Sequence, residues 1–596
     1  MDSIHFYEGR LRELQLHLKK LKQRKSSFAW LRLGAVIAIV AAFYFLWSLG
    51  IAFVIAAVIL LLIVFVQLIK ADLRNQGKIE HTVKLIAINE NELQFLNGNY
   101  FVFEDGTEHI PKQHEYANDL DIFGRASLFQ YINRTTSEPG SRQLADFLKA
   151  PAKISKIIDR QEAIKEISTK MIWSQDFQAN GQKNKVTFST KERLEKWMQT
   201  PDTFSGFRPW AWLRYVLPAF IISIVVLYIF SVVGDTIFYS SLFLFAVIAY
   251  QVNKYVAPVH EQLSKAADEM GTLYSTISLI ENEAFKSPLL QKWQSIFRQQ
   301  NKKASTDILR LKKILDRLDI RYNLVLSAPL NLLLLWNLQQ VLDLEKWKKN
   351  VQNNFSSWFQ TLADFEAINS FGVICFNHPS WIFPKINDKY FSIHGNEIGH
   401  PLILTEKRVN NFINIPDNTE LMLVTGSNMA GKSTYLRSIG INTVLAMAGA
   451  PVCAASFSVS HVQLISSMRV TDNLEESTST FYAELKKLKA IIDRVNRGEE
   501  VFILLDEILR GTNSLDRHTG SKALIKQLIK RKAAAIIATH DLELANLKED
   551  FSGSIHNYHF DVQVSNDELY FDYRLKPGVC NSLNASILMR KIGIEL

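Results

Sequence analysis

The chain has 596 residues, enough for several domains with sizeable hydrophobic cores. Hydrophobic residues make up 47% and charged residues 21%, which is close to the average of globular proteins and argues against any extreme class of composition. The formal net charge of +9 permits nucleic acid or anionic lipid as a partner and does not decide between them.

Residues 1–27 are predicted to form a basic helix. Its segment LRELQLHLKKLKQRK contains six Lys or Arg residues and one acidic residue. A basic helix of this kind is typical of segments that lie against a membrane surface, and we expect it to do so.

Two blocks of apolar sequence follow. From Leu33 to Val66 there is no charged residue, whereas one bilayer crossing needs about 20 apolar residues. The turn sequence Ser48-Leu-Gly50 divides this block, so residues 28–70 are predicted to form a hairpin of two transmembrane helices. Residues 210–253 repeat the pattern around Gly234-Asp235 and predict a second hairpin. The alternative is that both blocks are buried core helices.

Basic residues flank both hairpins, while the two turns contain neither Lys nor Arg. The positive-inside rule then places every soluble part in the cytoplasm. We therefore expect an integral protein of the inner or cytoplasmic membrane, with cytoplasmic soluble domains and the lipid bilayer as a partner.

A glycine-rich loop, GSNMAGKS, covers residues 426–433 and fits the pattern GxxxxGK[ST]. The preceding Leu421-Met-Leu-Val424 predicts a buried strand, and a helical pattern follows from Tyr435. In this setting backbone N–H groups and a helix N-terminus bind phosphates. Lys432 would reach the β- and γ-phosphates, and the Ser433 hydroxyl would bind Mg²⁺. The residues expected to bind the nucleotide here are Gly426, Ser427, Asn428, Met429, Ala430, Gly431, Lys432, Ser433 and Thr434.

Two more predicted strands end in polar residues. The run Val501-Phe-Ile-Leu-Leu505 leads into Asp506-Glu507, and Ala533 to Ala538 leads into Thr539-His540. Asp506 can hold Mg²⁺ through water, Glu507 can orient or deprotonate the attacking water, and His540 can sense the γ-phosphate. Lys432, Glu507 and His540 are therefore the candidate catalytic residues of an ATPase that uses ATP and Mg²⁺.

Four motifs resemble the ATPase domain of the MutS mismatch-repair family. They are TGSNMAGKSTYLR, STSTFYAEL (477–485), LLDEILRGTNSLD (504–516) and ATH (538–540). The segments around His400-Pro401 and Asn557-Tyr-His-Phe-Asp561 are also similar, so the resemblance covers about 371–596. Asp119-Leu-Asp-Ile-Phe-Gly124 looks like the start of that family's helical core.

The resemblance, combined with the two transmembrane hairpins predicted from hydropathy, implies an α + α/β fold. A mainly helical core and lever domain that carries the hairpins would be followed by an ABC-type P-loop ATPase domain over 371–596. The core would have a first part over 116–209 and a second over 254–370, after a linker over 71–115. A basic cluster in the second part is either a DNA contact or a solvated helix face. It consists of Lys302, Lys303, Arg310, Lys312, Lys313 and Arg317.

The resemblance also implies a homodimer, in which two ATPase domains enclose the nucleotides. Ser479 would reach the γ-phosphate bound by the partner subunit, and the loop 510–516, with Ser514, would pass signals between the sites. Asn428 would assist at the γ-phosphate, and Val409 and His559 would lie near the adenine.

One departure from the family affects function. The family senses mispairs with a Phe-x-Glu motif in an N-terminal domain. Phe6-Tyr7-Glu8 fits the motif, but a sensor domain needs on the order of 100 residues, and the first hairpin begins at residue 28. Mismatch specificity is therefore not expected of this segment.

The sequence leaves three functions open. The first is a membrane-anchored MutS-like ATPase that binds double-stranded DNA, mismatched or otherwise structured, in an ATP-dependent way. The second is a nucleotide-gated membrane scaffold without DNA binding. The third, an ABC-type transporter, is the least expected, because no LSGGQ-like signature is present. No small-molecule substrate beyond ATP is expected.

Overall fold

The computed structural model describes residues 3–202, 204, 209–299, 302–352, 354–415, 421–427, 429–469, 480–551, 553–565 and 568–580. A long helical hairpin comes first, then a helical core that a second long hairpin interrupts, and then an α/β region.

The first hairpin consists of helices α1 (Ser3–Leu46) and α2 (Ile51–Leu96). A short 3-10 turn over Trp47–Leu49 joins them and ends at Gly50. The φ of Gly50 is 110°, a conformation that residues with a side chain rarely adopt. The turn therefore lies where the sequence predicts it.

Beyond its apolar stretch, the hairpin packs as an antiparallel pair of helices. The side-chain amide of Asn75 donates a hydrogen bond of 3.0 Å to the carbonyl oxygen of Leu21. Arg32 forms an ion pair of 3.1 Å with Asp72. Leu14 is buried in a small cluster with residues of α2. These contacts hold the two helices in register beyond the apolar stretch from Leu33 to Val66.

Two predicted boundaries in this region differ from the structure. Residues 3–27 are helical, as predicted, but they are continuous with the apolar part of α1, since no Gly or Pro interrupts the sequence from 10 to 33. Their contact with a membrane surface stays a prediction. The predicted linker over 71–115 is helical as far as Leu96, since apolar residues of α2 continue to find partners there. Only residues 97–115 connect the hairpin to the core, with one 3-10 turn over Thr107–His109.

The second hairpin consists of α8 (Trp210–Ile229) and α9 (Asp235–Leu263). It begins where Arg214 pairs with Asp343 of the helical core at 3.0 Å. Its second helix extends beyond the predicted boundary at 253, because Val256 and Leu263 pack into the core.

By length and composition, α1, α2, α8 and α9 are candidate membrane spans. Within the apolar 18-residue window of each, only 6%, 6%, 17% and 11% of the residues are buried inside the chain. Core helices bury their apolar faces against the rest of the protein, so the alternative of buried core helices does not fit. Membrane crossing itself stays a prediction.

The helical core combines segments from both sides of the second hairpin. Its helices before the hairpin are α3 (Leu128–Ile132), α4 (Glu138–Lys149), α5 (Ile154–Ser168), α6 (Met171–Gly181) and α7 (Phe188–Gln199). Those after it are α10 (Ala267–Asn282), α11 (Pro288–Phe297), α12 (Ala304–Leu318), α13 (Leu324–Leu334), α14 (Trp336–Val351) and α15 (Phe355–Asn377), with short strands β1 (Arg298–Gln299) and β2 (Lys302–Lys303) between α11 and α12.

A buried carboxylate of α15 holds the N-terminus of α4. Glu366 accepts hydrogen bonds from the backbone N–H of Thr136 and of Ser137 at 3.0 and 3.1 Å. These groups precede the first helical turn, where N–H groups lack partners within the helix. A Cβ at Gly140 would lie 2.0 Å from the Glu366 carboxylate, so this position excludes any side chain.

A buried polar network attaches the first hairpin to the core. Arg134 forms a two-pronged ion pair with Glu92 of α2 at 2.7 and 3.0 Å, and both side chains are almost fully buried. The amide of Asn377, at the end of α15, donates to Glu92 at 2.8 Å. Tyr7 of α1 donates to the Asn377 oxygen at 2.8 Å. Tyr7 is buried in this joint and the ring of Phe6 contacts that of Phe376, so both belong to the packing of the hairpin, whereas Glu8 is exposed.

The C-terminal α/β region contains two sheets. The larger has the strand order β12-β11-β6-β10-β9-β8, with only β12 antiparallel to its neighbour, and the smaller has the order β3-β7-β4-β5. The strands are β3 (Lys385–Asn387), β4 (Ile393–Ile398), β5 (Asn411–Ile415), β6 (Leu421–Thr425), β7 (Ser456–Ser460), β8 (Gln463–Ser467), β9 (Val501–Asp506), β10 (Ala534–Thr539), β11 (Ile555–Ser565) and β12 (Glu568–Pro577). The helices are α16 (Lys432–Ala448), α17 (Thr480–Asn496), α18 (Ser514–Lys530) and α19 (Leu547–Asp550), with a 3-10 turn over Leu542–Asn546.

This architecture agrees with the α + α/β class at the level of its elements: it is mostly helical, with mixed sheets at the C-terminal end. The boundary differs from the predicted 371, since α15 continues to Asn377 and the first strand begins at Lys385. The last helix of the core thus leads directly into the α/β region.

We expect Glu92→Ala to lower the free energy of unfolding by roughly 3–5 kcal/mol, because it leaves the Arg134 guanidinium buried without its partner. The matched control is Glu104→Ala, which removes an exposed pair with Lys185 and should cost at most about 1 kcal/mol. Chemical denaturation of the full chain in detergent measures both. Equal losses of unfolding free energy in the two variants would contradict the stabilising role of the buried Glu92–Arg134 pair.

Candidate nucleotide-binding site

The loop 426–433 connects β6 to α16 at the carboxyl edge of the larger sheet. Gly426 and Gly431 have φ angles of 151° and 108°, in the region that favours glycine. A Cβ at Gly426 would lie 2.9 Å from the Phe560 carbonyl oxygen, and one at Gly431 would lie 3.1 Å from the Tyr573 ring. Both glycines are therefore required by backbone conformation and by space.

Lys432 is the first residue of α16, and its side chain is buried in the loop. Its ammonium donates hydrogen bonds of 2.9 Å to the carbonyl oxygens of Gly426 and of Ser427. It also lies 3.2 Å from Nε2 of His540. Burial lowers the pKa of Lys432, and the negative charges of Asp506 and Glu507 oppose this shift.

Glu507 and His540 follow neighbouring parallel strands, β9 and β10, and meet at the same edge. His540 Nε2 lies 2.7 Å from a Glu507 carboxylate oxygen, closer than it lies to Lys432. Because one ring nitrogen cannot serve both, we assign the Nε2 proton to the bond with Glu507. This hydrogen bond holds the pKa of Glu507 below its usual value, and the Arg510 charge lowers it further.

Asp506, the last residue of β9, has a carboxylate oxygen that is buried without a hydrogen-bond partner among the described residues. Ser433 and Thr434 are exposed in the first turn of α16. An unpaired buried carboxylate oxygen is costly unless a cation or a water binds it. Carboxylate and hydroxyl oxygens are also ligands that Mg²⁺ accepts, so these residues fit the predicted metal role.

The turn after β9 is held from two sides. Glu507 and Leu509 have φ angles of 53° and 61°, which side chains other than glycine rarely adopt. Glu484 of α17 accepts hydrogen bonds from the backbone N–H of Leu509 and of Arg510 at 2.5 and 3.1 Å. Arg510 in turn pairs with Glu507 at 3.0 Å. The strained turn therefore presents Glu507 through contacts with α17.

His559 lies beside the loop, opposite Thr425 in the register of β11 and β6. Its Nδ1 atom is buried and has no hydrogen-bond partner in the described part of the chain. Val409 is exposed and lies two residues before Asn411. The side chain of Asn411 donates a hydrogen bond to the backbone carbonyl of Tyr573 and accepts one from the backbone N–H of Leu575, both in β12. Both predicted adenine contacts thus lie toward the β11–β12 side of the loop.

Of three other predicted site residues, Ser514, Asn428 and Ser479, the structure describes only Ser514. Ser514 is exposed at the start of α18, directly after the capping residue Asn513. Asn428 and Ser479 lie outside the described residues. Of the remaining loop residues, Met429 is 77% exposed and Ala430 is buried. The roles of all these residues stay predictions.

The comparisons with known proteins agree with this geometry. Residues 422–589 match the family model described as MutS domain V. The C-terminal region is MutS-like.

Similar curated proteins include MutS protein homolog 4 of Mus musculus, 34% identical over 235 residues, which are 38% of this chain and 24% of that protein. The DNA mismatch repair protein MutS of Aquifex pyrophilus is 33% identical over 202 residues, 33% of this chain and 23% of the relative. The DNA mismatch repair protein MutS of Persephonella marina is 31% identical over 240 residues, which are 40% of this chain and 27% of that protein. The chain thus spans about a quarter of the length of these relatives.

The MutS-like region is joined to the helical core by two carboxylates of the segment DLDIFG. Asp119 accepts hydrogen bonds from Ser466 at 2.7 Å and from Lys487 of α17 at 2.6 Å. Asp121 pairs with Arg437 of α16 at 2.8 Å and with Arg469 after β8. The core therefore contacts both the helix that follows the loop and the helix that holds Glu507.

Sequence reasoning missed the role of Glu484, although its motif STSTFYAEL was recognised. The signal available was a carboxylate placed among apolar positions at the start of α17, where Glu484 proves to be buried. Tyr573 was also missed, because nothing local in β12 indicates that its ring covers Gly431.

We expect Glu484→Gln to lower the kcat of ATP hydrolysis at least about tenfold, with KM for ATP changed less than about twofold. An amide has one acceptor oxygen and no charge, and a hydrogen bond to a charged group contributes roughly 1.5–3 kcal/mol. The control is Asp493→Asn, an exposed carboxylate on the same helix. Steady-state kinetics of both variants test this, and an unchanged kcat in Glu484→Gln would contradict it.

Proposed function

We propose that this chain is a MutS-like ATPase, anchored in a membrane by its two hairpins, that couples ATP binding and hydrolysis to the binding of double-stranded DNA. The observation that carries the ATPase part is the line of contacts from Lys432 through His540 to Glu507, with the unpaired oxygen of Asp506 beside it. Phosphate binding, metal binding and water activation need these groups at one place.

In this proposal the loop 426–433 binds the phosphates through its backbone N–H groups, and Lys432 exchanges its carbonyl partners for phosphate oxygens. Mg²⁺, held by Ser433 and Asp506, neutralises phosphate charge when it is bound. Glu507 orients the attacking water. Its two oxygens accept from Arg510 and from His540, and each keeps a second lone pair that can accept a hydrogen bond from the water.

A homodimer follows from the family resemblance. Ser514 is exposed at the start of α18, seven residues after Glu507 in the sequence, where a partner subunit can reach it. Ser479 precedes α17, the helix that holds the turn with Glu507, so its proposed contact with the nucleotide of the partner would act on the same turn.

Anchoring is supported by four long apolar helices with exposed side chains and by basic residues on one side of both hairpins. The soluble parts then lie in the cytoplasm at the inner membrane. DNA as the ligand is supported by similarity to proteins named for DNA mismatch repair. Mismatch specificity is not part of the proposal, since Phe6 and Tyr7 are packed against the end of α15 in the hairpin joint.

We expect Lys432→Ala to abolish ATP binding, because the phosphates lose their buried cation. Glu507→Gln should bind ATP normally, hydrolyse it at least about a hundredfold more slowly and accumulate as a dimer, since general-base catalysis contributes about 10²–10⁴-fold. Equilibrium binding of a fluorescent ATP analogue, turnover and light scattering measure these effects. Normal turnover in either variant would contradict the assigned roles.

We expect duplex DNA to change the ATPase rate of the full chain in detergent. The effect should become smaller as the salt concentration rises, because phosphate contacts release counterions.

The preparation also tests the anchoring, because the protein is first recovered from membranes washed at alkaline pH. A freely soluble chain at that step would contradict the anchoring. ATPase activity that is indifferent to every duplex tested would favour the nucleotide-gated scaffold.

A further inference from the structure

One part of the first hairpin has a net charge almost as large as that of the whole chain. Residues 17–34 contain six basic residues and no acidic one, and residues 70–84 contain four basic and two acidic residues. These two segments, here called the stalk, therefore have a net charge of +8, compared with +9 for the whole chain. The basic cluster at 302–317 contains six basic and two acidic residues, so its net charge is only +4.

Part of this charge faces a cleft between the stalk and the helical core. The cleft has a volume of about 810 Å³. Arg74, Lys78 and Lys84 of α2 line it from the stalk, and Lys183, after the end of α6, lines it from the core. Burial and the neighbouring charge of Lys183 lower the pKa of Lys84. The negative charge of Glu80 opposes this shift and also acts on Lys183, so the protein neutralises part of the positive charge of the cleft.

The two acidic residues in the lining of the cleft have partners within the protein. Asp176 lies 2.9 Å from Nε2 of His81, and Glu80 accepts a hydrogen bond of 2.8 Å from Gln76. None of the four cations forms an ion pair with a described residue, whereas Arg32, nearer the apolar stretch, pairs with Asp72. The cleft therefore has a surplus of two positive charges facing solvent.

The basic lining continues on α1. His17 lines the cleft, and Lys20 and Arg24 follow it at spacings of three and four residues, which places all three on one face of the helix. Both Lys20 and Arg24 are exposed. A ligand in the cleft would thus meet cations from both helices of the stalk.

The distance from the predicted membrane edge distinguishes two kinds of anionic ligand. At 1.5 Å per residue, Lys84 lies about 21 Å along α2 from residue 70. The headgroup layer is only about 5–8 Å thick, and charges are screened over about 8 Å at physiological salt. Lipid headgroups and their screened potential therefore reach Lys70, Arg74 and Lys78, which lies about 12 Å along the helix. Lys84, with Lys183 beside it, lies beyond that range and faces a polyanion in solution.

We propose that this cleft binds the phosphate backbone of double-stranded nucleic acid. The cations from Arg74 to Lys84 extend over about 15 Å, a length of duplex that carries about nine phosphate charges on its two strands. The contact would be independent of base sequence, since Lys and Arg meet phosphates here. This inference rests on the DNA binding of the proposed function and assigns that contact to the stalk.

The test uses the full chain in nanodiscs of neutral phosphatidylcholine, which removes anionic lipid as a competitor. The stalk variant is Lys78→Gln/Lys84→Gln/Lys183→Gln, and the matched control is Lys302→Gln/Arg310→Gln/Lys313→Gln. Fluorescence anisotropy of a labelled duplex gives the affinity over a range of salt concentrations. We expect the stalk variant to bind more weakly and its slope of log K against log salt to be shallower by about 2.7, with the control close to wild type.

Three results would overturn the inference. If the control loses affinity and the stalk variant does not, DNA binds the basic cluster at 302–317. The proposed function then stands, but the stalk is not the DNA contact. If wild type hydrolyses ATP but binds no duplex, the DNA part of the proposed function fails as well. If the stalk substitutions weaken binding only to discs with phosphatidylglycerol, the ligand is the membrane. Thermal unfolding of each variant checks that it is folded.

Discussion

His540 lies within hydrogen-bond distance of both Lys432 and Glu507 at the carboxyl edge of a parallel sheet. Lys432, His540 and Glu507 follow β6, β10 and β9, which are neighbours in that order. Parallel pairing requires each strand to return through a helix, so the lysine, the histidine and the carboxylate arrive at one edge from distant parts of the chain. A change of strand order would separate the phosphate-binding cation from the group proposed to orient water.

The loop, Asp506, Glu507 and His540 could be predicted because each follows a short apolar run, and the ends of parallel strands share an edge. The contact of Glu484 with the turn could not be predicted. Glu484 accepts hydrogen bonds from the backbone N–H groups of Leu509 and Arg510, which lie 25 and 26 positions away in the sequence. Nothing in the local pattern around a carboxylate shows which N–H groups it will meet. The positive φ of Glu507 is likewise imposed by its tertiary surroundings.

The same reasoning explains why the predicted boundaries in the first hundred residues differ from the structure. Hydropathy locates the apolar stretches, and the charged residues beyond them suggested a surface helix and a linker. The structure instead extends both helices, because Leu14, Leu85 and Ile88 bury one another at a distance from the apolar stretch. The joint at Tyr7, Glu92, Arg134 and Asn377 then fixes the hairpin to the end of α15. Contacts over 285 and 370 positions lie beyond any periodicity in the sequence.

The two hairpins leave the core at separate places, one at the end of α15 and the other where Arg214 meets Asp343. A chain fixed in a bilayer at two points cannot turn over, and it has little freedom to tilt. Two identical chains inserted with the same orientation can form a closed pair only if their two-fold axis stands perpendicular to the plane of the bilayer. Anchoring would thereby select, from all the ways in which two copies could meet, the side-by-side arrangements related by that axis.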